Sequence, residues 1–279
     1  MTESAAFGTY APRGIVRRLV GLARAMPDTW LGRRCMLALR RVAMRRMKGM
    51  PVDTEALGFR MRVRPYANIC EKRMLFAPSH FDPTELALLE RAIRPGFVFL
   101  DIGANVGAYA LFVASRAGPD ARIVAIEPQP EIFDRLSFNI RLNAFSTVKA
   151  LACAIADKAG PVTLFVDPRN AGESSVKIVT SSAAGSLRVD ALTLLGLVEG
   201  EGFERVDAAK LDVEGAEDLI LEPFLRSAPA ALLPRLLIVE DGASRWQVDL
   251  PALLAETGYR LVTRTRLNLV FERQEDDPT

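Results

Sequence analysis

The segment FLDIGANVGAYALF, residues 99–112, combines an acid and two glycines in a way that could hold a cofactor. An apolar run ends in Asp101, and a turn containing Gly103 and Gly107 leads into apolar residues at helical spacing. Glycines let the backbone turn tightly and approach a ligand, as in the βα turns that bind nucleotides. Glu127 ends the next apolar run, 24 residues after Gly103, and an acid at that place can accept both hydroxyls of a ribose.

The composition of this loop separates the candidate cofactors. It reads G-A-N-V-G and lacks the G-x-G-x-x-G pattern of dinucleotide-binding loops. Asp101 would repel a pyrophosphate, since two unit charges at ~4 Å repel by several kcal/mol at an effective dielectric near 20. S-adenosylmethionine has no phosphate, and its ammonium and sulfonium suit a carboxylate. We therefore predict S-adenosylmethionine as the cofactor. The alternative is that Asp101 only caps the following helix and that the glycines serve packing.

A second group of acids follows two later apolar runs. Asp212 and Glu240 each end such a run, and in open α/β sheets ligands bind at the carboxyl ends of strands. Methyl transfer needs an aligned acceptor oxygen and can use a base for the hydroxyl proton. We predict Asp212 as that base, or as an anchor for the substrate or the methionine ammonium, with Glu214 and Glu240 as further catalytic candidates. Glu214 and Glu217 also suit a helix N-terminus, where acids are stabilising.

These residues could also support two other kinds of chemistry. Three carboxylates at strand ends would offer oxygen ligands to Mg²⁺, but an accompanying Asp-Asn pair is not evident, so we predict no metal. His80, the single histidine, precedes Asp82 and Pro83 in a predicted turn. We favour a surface or capping role for His80 over that of a catalytic base.

The elements that must position these residues alternate between strands and helices. Strands are predicted at 97–102, 122–127, 147–156, 161–166, 207–213 and 235–240. Helices are predicted at 106–116, 130–143 and 249–257, with a terminal hairpin around 265–266. Before them, residues 51–82 have the pattern of short extended pieces, and Pro83 begins a helix through Arg91. The alternation predicts an α/β protein with a doubly wound, mostly parallel sheet.

The first 50 residues differ from the rest of the chain in charge. They hold eleven Arg or Lys and two acids, a net charge of +9, so the remaining residues carry about −7 of the chain's total of +2. Two amphipathic helices are predicted there, with apolar stripes made of Ile15, Leu19, Leu22 and Met26 and of Leu31, Cys35, Leu39 and Val42. The chain thus divides into a basic helical extension at 1–50, a lead-in at 51–95 and a cofactor-binding domain at 96–279.

Two interpretations of the basic extension remain open. Residues 13–48 can lie on an anionic membrane surface, or the stripes can pack on the main domain with the arginines in solvent. An Arg-rich, acid-poor start also resembles a mitochondrial transit peptide. No uncharged apolar run reaches the ~18 residues of a membrane span, and the three cysteines form no C-x-x-C pair. We expect a cytoplasmic protein, with peripheral contact at the inner membrane face under the first interpretation.

Taken together, the motifs resemble the FkbM family of S-adenosylmethionine-dependent methyltransferases. The segments GFVFLDIGANVGAYAL and IVAIEPQPEIFDRLSFNIRLN resemble the first two motifs of that family. AAKLDVEGAE, residues 208–217, resembles its most distinctive motif, while NAGESSV at 170–176 and SLRVDALTL at 186–194 are weaker matches. The resemblance covers about residues 65–273, so the basic extension lies outside it.

The resemblance implies a Rossmann-like methyltransferase fold with a seven-stranded, mostly parallel sheet whose last strand is antiparallel. It also implies methyl transfer to a hydroxyl of a sugar, glycan or secondary metabolite. Carried over by position, the cofactor-binding residues are Asp101, Gly103, Ala104, Asn105, Gly107, Glu127, Pro128 and Asp157. Asp157 would meet the adenine amino group.

Two other functions stay open on the sequence. One is a nucleic-acid methyltransferase, although no N-P-P-Y or D-P-P-Y motif occurs and the main domain is acidic, so we do not expect nucleic acid as a partner. The other is a methyltransferase-like binding subunit without catalytic activity, against which the intact glycine loop and Glu127 argue. The oligomeric state is not predicted.

Overall fold

The N-terminal third of the chain is built from helices and one strand pair. The computed structural model describes residues 5–66, 68–166, 174–175 and 186–274. The first elements are α1 (Gly14–Arg24), α2 (Trp30–Met47), β1 (Val52–Ala56), β2 (Phe59–Val63), α3 (Ile69–Phe76) and α4 (Pro83–Ala92). β1 and β2 form an antiparallel pair of their own.

The rest of the described chain forms two sheets with helices between their strands. First come β3 (Val98–Ile102), α5 (Ala108–Ala114), β4 (Arg122–Ile126), α6 (Pro130–Arg141) and β5 (Val148–Leu151). A four-stranded sheet follows, made of β6 (Ala154–Ile155), β7 (Gly160–Val166), β8 (Ser174–Ser175) and β9 (Ser186–Leu192). The last elements are α7 (Leu194–Gly200), β10 (Ala208–Leu211), α8 (Glu217–Ser227), β11 (Leu236–Glu240), α9 (Leu250–Glu256), β12 (Tyr259–Arg264) and β13 (Asn268–Arg273).

Seven of these strands form the central sheet, in the order β12-β13-β11-β10-β3-β4-β5. The pairs among β11, β10, β3, β4 and β5 are parallel, whereas β13 runs antiparallel to both β11 and β12. The predicted fold, a Rossmann-like sheet of seven strands with an antiparallel last strand, is therefore confirmed.

The middle of this sheet is buried on both faces. Every residue of β3 and β10 is buried, as is typical of parallel strands with helices on both sides. Phe99 belongs to an apolar cluster with Leu75 of α3 and Leu111 of α5, while its neighbour Leu100 belongs to a second cluster with Phe224 of α8. Successive side chains of a strand point to opposite faces, so these clusters are the two layers of a doubly wound domain.

Three parts of the chain differ from the elements predicted from sequence. Residues 51–82 contain helix α3, where the Asn68 side chain accepts a hydrogen bond from the Glu71 N–H at 3.2 Å. The strand predicted at 147–156 is divided, because β5 belongs to the central sheet and β6 pairs with β9. β9, α7 and α8 have no counterpart among the predicted elements. Of the motif at 170–176, only residues 174–175 lie within the described chain.

The helical extension packs on the main body through only part of the predicted stripes, since Leu19 and Leu39 pack against the core. On α2, Leu31 and Val42 of the predicted stripe are 64% and 44% exposed, whereas Ala43 and Met47 are buried. On α1, Ile15 is 49% exposed. The inward face of α2 thus combines the fully buried Ala43 with larger residues such as Met47 and Leu39, while Leu31 and Val42 lie outside it.

Arg24 joins the extension to the lead-in segment. Its Nε donates to the Leu75 carbonyl at 2.8 Å, and its Nη2 donates to Thr54 Oγ1 at 2.6 Å. Asp53 Oδ2 accepts from the N–H groups of Gly8 and Tyr10 at 2.8 and 3.0 Å.

In the described part of the chain, no helix has the length and apolarity needed to cross a membrane.

Candidate active site

A cavity of about 690 Å³ opens where the strands of the central sheet end. Gly103 follows β3, Glu127 follows β4, Asp212 follows β10, and Glu240 ends β11; all four residues line this cavity. The carboxyl ends of parallel strands meet at one edge of the sheet, which is where α/β proteins bind ligands. Glu127, predicted from the glycine motif, thus lines the same cavity as Asp212 and Glu240 of the second group of acids.

The glycines of the 103–107 loop are required by the packing of the chain itself. Gly103 has φ +78°, and a Cβ there would lie 2.0 Å from the Asp212 carbonyl oxygen. Gly107 has φ +95°, and a Cβ there would lie 2.8 Å from Leu136 Cδ1. The sequence predicted that these glycines let the backbone approach a ligand. At these two positions the backbone closely approaches the end of β10 and helix α6.

The backbone N–H groups of this loop donate within the chain. Gly103 and Ala104 donate to the Ile126 carbonyl at 3.0 and 2.9 Å, and Gly107 donates to the Ala104 carbonyl at 2.9 Å. Asn105 donates to Glu127 Oε2 at 3.0 Å. The N–H of residue 106 donates to Asn105 Oδ1 at 2.9 Å. Loops that bind dinucleotides use free backbone N–H groups to bind the pyrophosphate. The N–H groups named here are already hydrogen-bonded within the chain and are not available to a pyrophosphate.

Glu127 is a buried carboxylate at the edge of the cavity. Its second oxygen, Oε1, accepts from the Gln129 N–H at 3.0 Å. Burial is the main cause that raises the pKa of Glu127 to about 7. The hydrogen bonds from the N–H groups of Gln129 and Asn105 act in the opposite direction and lower that pKa. A carboxylate oxygen can accept more than one hydrogen bond, so Glu127 keeps acceptor capacity for hydroxyl donors in the cavity.

Asp101 is buried and is not among the described residues that line the cavity. It is 1% exposed, and its Oδ2 accepts from the Ala110 N–H of α5 at 2.9 Å. Burial raises the pKa of Asp101 to about 6, and the ammonium of Lys210 opposes that rise. The contact matches the alternative in which Asp101 holds the start of the following helix; direct contact with a cofactor stays a prediction.

Lys210 is a functional candidate that the sequence reasoning missed. It is 4% exposed, and its Nζ donates to Asp212 Oδ2 at 2.7 Å and lies 4.9 Å from the centre of the Tyr109 ring. Burial alone would lower the pKa of Lys210, but the carboxylates of Asp212 and Asp101 outweigh it and raise that pKa. The available signal was a lysine inside the strand AAKL, where the other residues are apolar.

Asp212, Glu214 and Glu240 form one cluster of carboxylates. Each offers an oxygen within 4.8 Å of the others, a spacing that could hold a divalent cation. Arg245 supplies positive charge here, since its Nη1 lies 3.5 Å from Glu214 Oε2 and its Nη2 donates to Glu240 Oε2 at 3.3 Å. Burial, and then the charge of Asp212, raise the pKa of Glu240 to about 8.

Glu217 supports the turn that carries this cluster. Its Oε1 accepts from the N–H groups of Val213 and Gly215 at 3.1 and 3.0 Å, and its Oε2 accepts from Trp246 Nε1 at 2.8 Å. Glu214 has φ +57°, a left-handed conformation that non-glycine residues seldom adopt. The DVEGAE segment is therefore a tight turn held together by its last acid.

Some of the other predicted residues line the cavity and others do not. Pro128 and Asn105 line the cavity, and so does His80, from a short 3₁₀ turn at Pro78–His80. Ala104, Gly107 and Asp157 are not among the described lining residues, and Asp157 is an exposed residue two positions beyond β6. Their contacts with a cofactor stay predictions.

One wall of the cavity comes from segments that the sequence did not connect with the site. Arg33 and Met36 of α2, Asn68 ahead of α3, Arg73 of α3 and Arg266 of the terminal hairpin all line it. No signal in a single sequence relates α2 to the strand ends, because only the folded chain brings them together.

By sequence, the chain is similar to known methyltransferases. A family model described as the methyltransferase FkbM domain matches residues 101–261. The chain is 34% identical to the methyltransferase sdnD of Sordaria araneosa over 152 residues, which are 44% of this chain and 58% of that protein. It is 29% identical to the hexuronic acid methyltransferase AglP of Haloferax volcanii over 195 residues, 68% of this chain and 75% of that protein. The solved structure of a SAM-dependent O-methyltransferase from Thermotoga maritima superposes with a TM-score of 0.41 at 12% identity, covering 70% of this chain and 67% of that one.

Proposed function

This chain belongs to the FkbM family of methyltransferases, with S-adenosylmethionine as its cofactor, and from this premise we propose that it methylates a hydroxyl oxygen of a sugar, glycan or secondary metabolite. The observation that carries the proposal is the shared cavity. The candidate ribose acceptor Glu127 and the candidate base Asp212 line the same 690 Å³ space, whose size is typical of small-molecule sites.

The residues around Glu127 fit S-adenosylmethionine. Glu127 presents a buried carboxylate beside apolar wall residues, among them Ile126 and Ile155. This pairing of one fixed polar group with apolar side chains suits a nucleoside, whose ribose bears hydroxyl donors and whose base is flat and apolar on its faces. Since the loop N–H groups are engaged within the chain, a cofactor without phosphates is favoured. When bound, S-adenosylmethionine supplies an activated methyl group on a sulfonium.

Asp212 is the residue that we propose as the base. Its side chain is 40% exposed at the cavity, and one of its oxygens accepts from the buried Lys210 ammonium. That contact fixes the carboxylate and leaves its other oxygen for an acceptor hydroxyl. In the proposed reaction the acceptor oxygen would bond to the methyl carbon as the methyl–sulfur bond breaks, S-adenosylhomocysteine would leave as the thioether, and the hydroxyl proton would pass to Asp212.

Glu240 has a complementary role in this proposal. With a pKa of about 8, it holds its proton at neutral pH and can donate a hydrogen bond to the acceptor. A protonated Glu240 next to Asp212 also relieves the repulsion between neighbouring carboxylates. Glu214, tied to Arg245, completes the cluster that orients the acceptor.

The acceptor class is supported by one relative and by the cavity wall. AglP is named as a methyltransferase of hexuronic acid, a sugar with a carboxylate. Arg33 and Arg73 line the cavity in ion pairs with Asp28 and Asp82, and Arg266 lines it with no described ion-pair partner. Seven acids also line the cavity, so the proposal for an acidic sugar rests on Arg266 as the group that would meet its carboxylate.

The proposal is tested by methyl transfer from labelled S-adenosylmethionine to a set of neutral and uronic-acid glycosides. We expect an alkali-stable methyl ether as product. Asp212→Asn should fold with reduced stability, because it leaves the buried Lys210 ammonium with Asp101 as its remaining buried counter-charge, and it should lower kcat by about 10²–10⁴-fold, as for loss of a general base. Asp120→Asn, the same chemical change at an exposed turn, should have no effect.

Two results would contradict the proposal in different ways. An alkali-labile methyl ester would show that a carboxylate is the acceptor, which needs no base. Unchanged turnover by Asp212→Asn with a methyl-ether product would assign proton removal to another group.

A further inference from the structure

The outer face of α2 is basic and apolar at the same time. The helix WLGRRCMLALRRVAMRRM holds six arginines and no acid. Its inner face is buried at Gly32, Ala43 and Met47. Positions 34, 38, 41 and 45 recur at helical spacing on the opposite side and are all exposed. The arginines at 34, 41 and 45 therefore point into solvent along one stripe.

Large apolar side chains flank this stripe. Within the described chain, eleven large hydrophobic residues are exposed, and seven of them lie between residues 15 and 50. On α2 these are Trp30 at 72%, Leu31 at 64%, Leu37 at 41% and Val42 at 44% exposure. Scattered single residues of this kind need no explanation, but a concentration in one short segment marks an interaction surface.

The surface is held in a fixed orientation. α1 is bound to the lead-in segment through Arg24 and packs along α2. The Arg34 guanidinium lies 4.9 Å from the centre of the Trp30 ring, which places a cation and an aromatic side chain side by side. Tryptophan, leucine and arginine together are the composition of helices that lie in the headgroup region of a bilayer.

We propose that the outer face of α2, formed by Trp30, Leu31, Arg34, Leu37, Arg41, Val42 and Arg45, docks on an anionic lipid surface. The charge of the face, with arginines and no acid along the helix, is complementary to anionic headgroups. The exposed apolar side chains enter the boundary between headgroups and acyl chains. This inference is independent of the proposed function, since docking requires no methyl transfer.

Docking would place the lipid surface about 10–12 Å, one helix diameter, from this part of the cavity wall. Arg33 and Met36, on the same turns of α2 as the docking residues, line the cavity. The acceptor class that such an arrangement serves is a sugar or glycan carried on a lipid.

The test is sedimentation of the full-length protein with vesicles, at low and high salt. Vesicles of phosphatidylcholine with about one third phosphatidylserine should bind the protein, and pure phosphatidylcholine vesicles should not. Each arginine near an anionic surface contributes roughly fivefold to the binding affinity. The variant R34Q/R41Q/R45Q should therefore bind the vesicles about a hundredfold more weakly. The matched control R188Q/R226Q/R260Q removes three exposed arginines elsewhere and should bind like the unchanged protein.

A second variant tests the apolar part of the surface. Trp30→Ser with Leu31→Ser should lower vesicle binding without affecting the fold, because both side chains are largely exposed. The fluorescence of Trp30 should shift to the blue on binding, and Trp30→Phe should remove that shift.

Three outcomes would overturn the proposal: no vesicle binding at low salt, equal loss in the control variant, or capture by RNA but not by vesicles. The last outcome would assign the face to a nucleic acid. Because sedimentation needs neither cofactor nor acceptor, its result does not depend on whether the methyl-transfer proposal holds.

Discussion

At the scale of single residues, the site depends on how buried charges are compensated. Lys210 lies between Asp101 and Asp212, and its ammonium opposes the effect of burial on Asp101. Removing one member of such a group leaves an uncompensated charge, which costs more than the pair contributes. Asp101 also connects this group to the start of α5, and its contact with the cofactor stays a prediction.

Glu127 gives the most direct test of cofactor binding. Glu127→Ala removes the proposed acceptor for ribose hydroxyls and the partner of the Asn105 N–H. We expect S-adenosylmethionine to bind about 1.5–3 kcal/mol more weakly, the range for hydrogen bonds to charged groups. Titration calorimetry measures this change, and Glu131→Ala, at an acid whose side chain is 77% exposed, is the control. An unchanged Kd in Glu127→Ala would remove Glu127 from the ribose site.

At the scale of elements, the junction between β3 and β10 positions both halves of the site. The Gly103 turn lies directly against the carbonyl of Asp212, so the end of one strand fixes the end of the other. The cofactor loop and the candidate base are therefore held in register by backbone contact. Side-chain packing of the two strands on each face of the sheet supports that register.

A pair of glycine substitutions separates this contact from backbone strain. Gly103 and Gly118 have φ +78° and +77°, but a Cβ at Gly118 would meet nothing within 4 Å. Alanine at either position costs about 1–2 kcal/mol for the left-handed conformation. Gly103→Ala should lose about 1–3 kcal/mol more, because the chain must move to admit the Cβ. Urea unfolding compares the two variants; equal destabilisation would show that the strand ends can separate freely.

At the scale of the whole molecule, the site joins segments that are far apart in sequence. The family match covers residues 101–261, yet α2, α3 and the terminal hairpin supply part of the cavity wall. The residues predicted to bind the cofactor lie within the matched range, whereas Arg33, Arg73 and Arg266 of the cavity wall lie outside it. The acceptor specificity of this chain is thus expected to depend on segments outside the family domain.

Buried carboxyl groups also set the pH dependence of global stability. Burial is the main cause that raises the pKa of Asp101 to about 6, of Glu127 to about 7 and of Glu240 to about 8. The folded chain therefore holds protons that the unfolded chain releases above about pH 4–4.5. Since stability falls with pH wherever the folded state binds more protons, it should decline between about pH 5 and about pH 8 in the cofactor-free protein.

Urea unfolding across this pH range measures that decline. Glu127→Gln should flatten the slope between about pH 4.5 and about pH 7, because the variant has no proton to release there. Glu131→Gln, at the exposed acid, should leave the slope unchanged. Stability that rises with pH across this window would contradict the assignment of raised pKa values to these groups.

The sequence by itself determined the parts of this protein that depend on local pattern. Apolar runs ending in acids predicted the strands that became β3, β4, β10 and β11, and the residues after them that line the cavity. The periodicity between those runs predicted α5 and α6. These features follow from residue order alone, because a strand end and the turn after it are adjacent in the chain.

Only the tertiary structure decided how those parts meet. Asp101 and Glu127 both end apolar strands, yet one contacts α5 and the other faces the cavity, which depends on the twist and register of the sheet. The predicted apolar stripe of α2 is divided in the fold, because Leu39 packs against the core whereas Leu31 and Val42 are exposed. A pattern shows that a helix has two faces, but which face is buried depends on the surface that the rest of the chain presents to it.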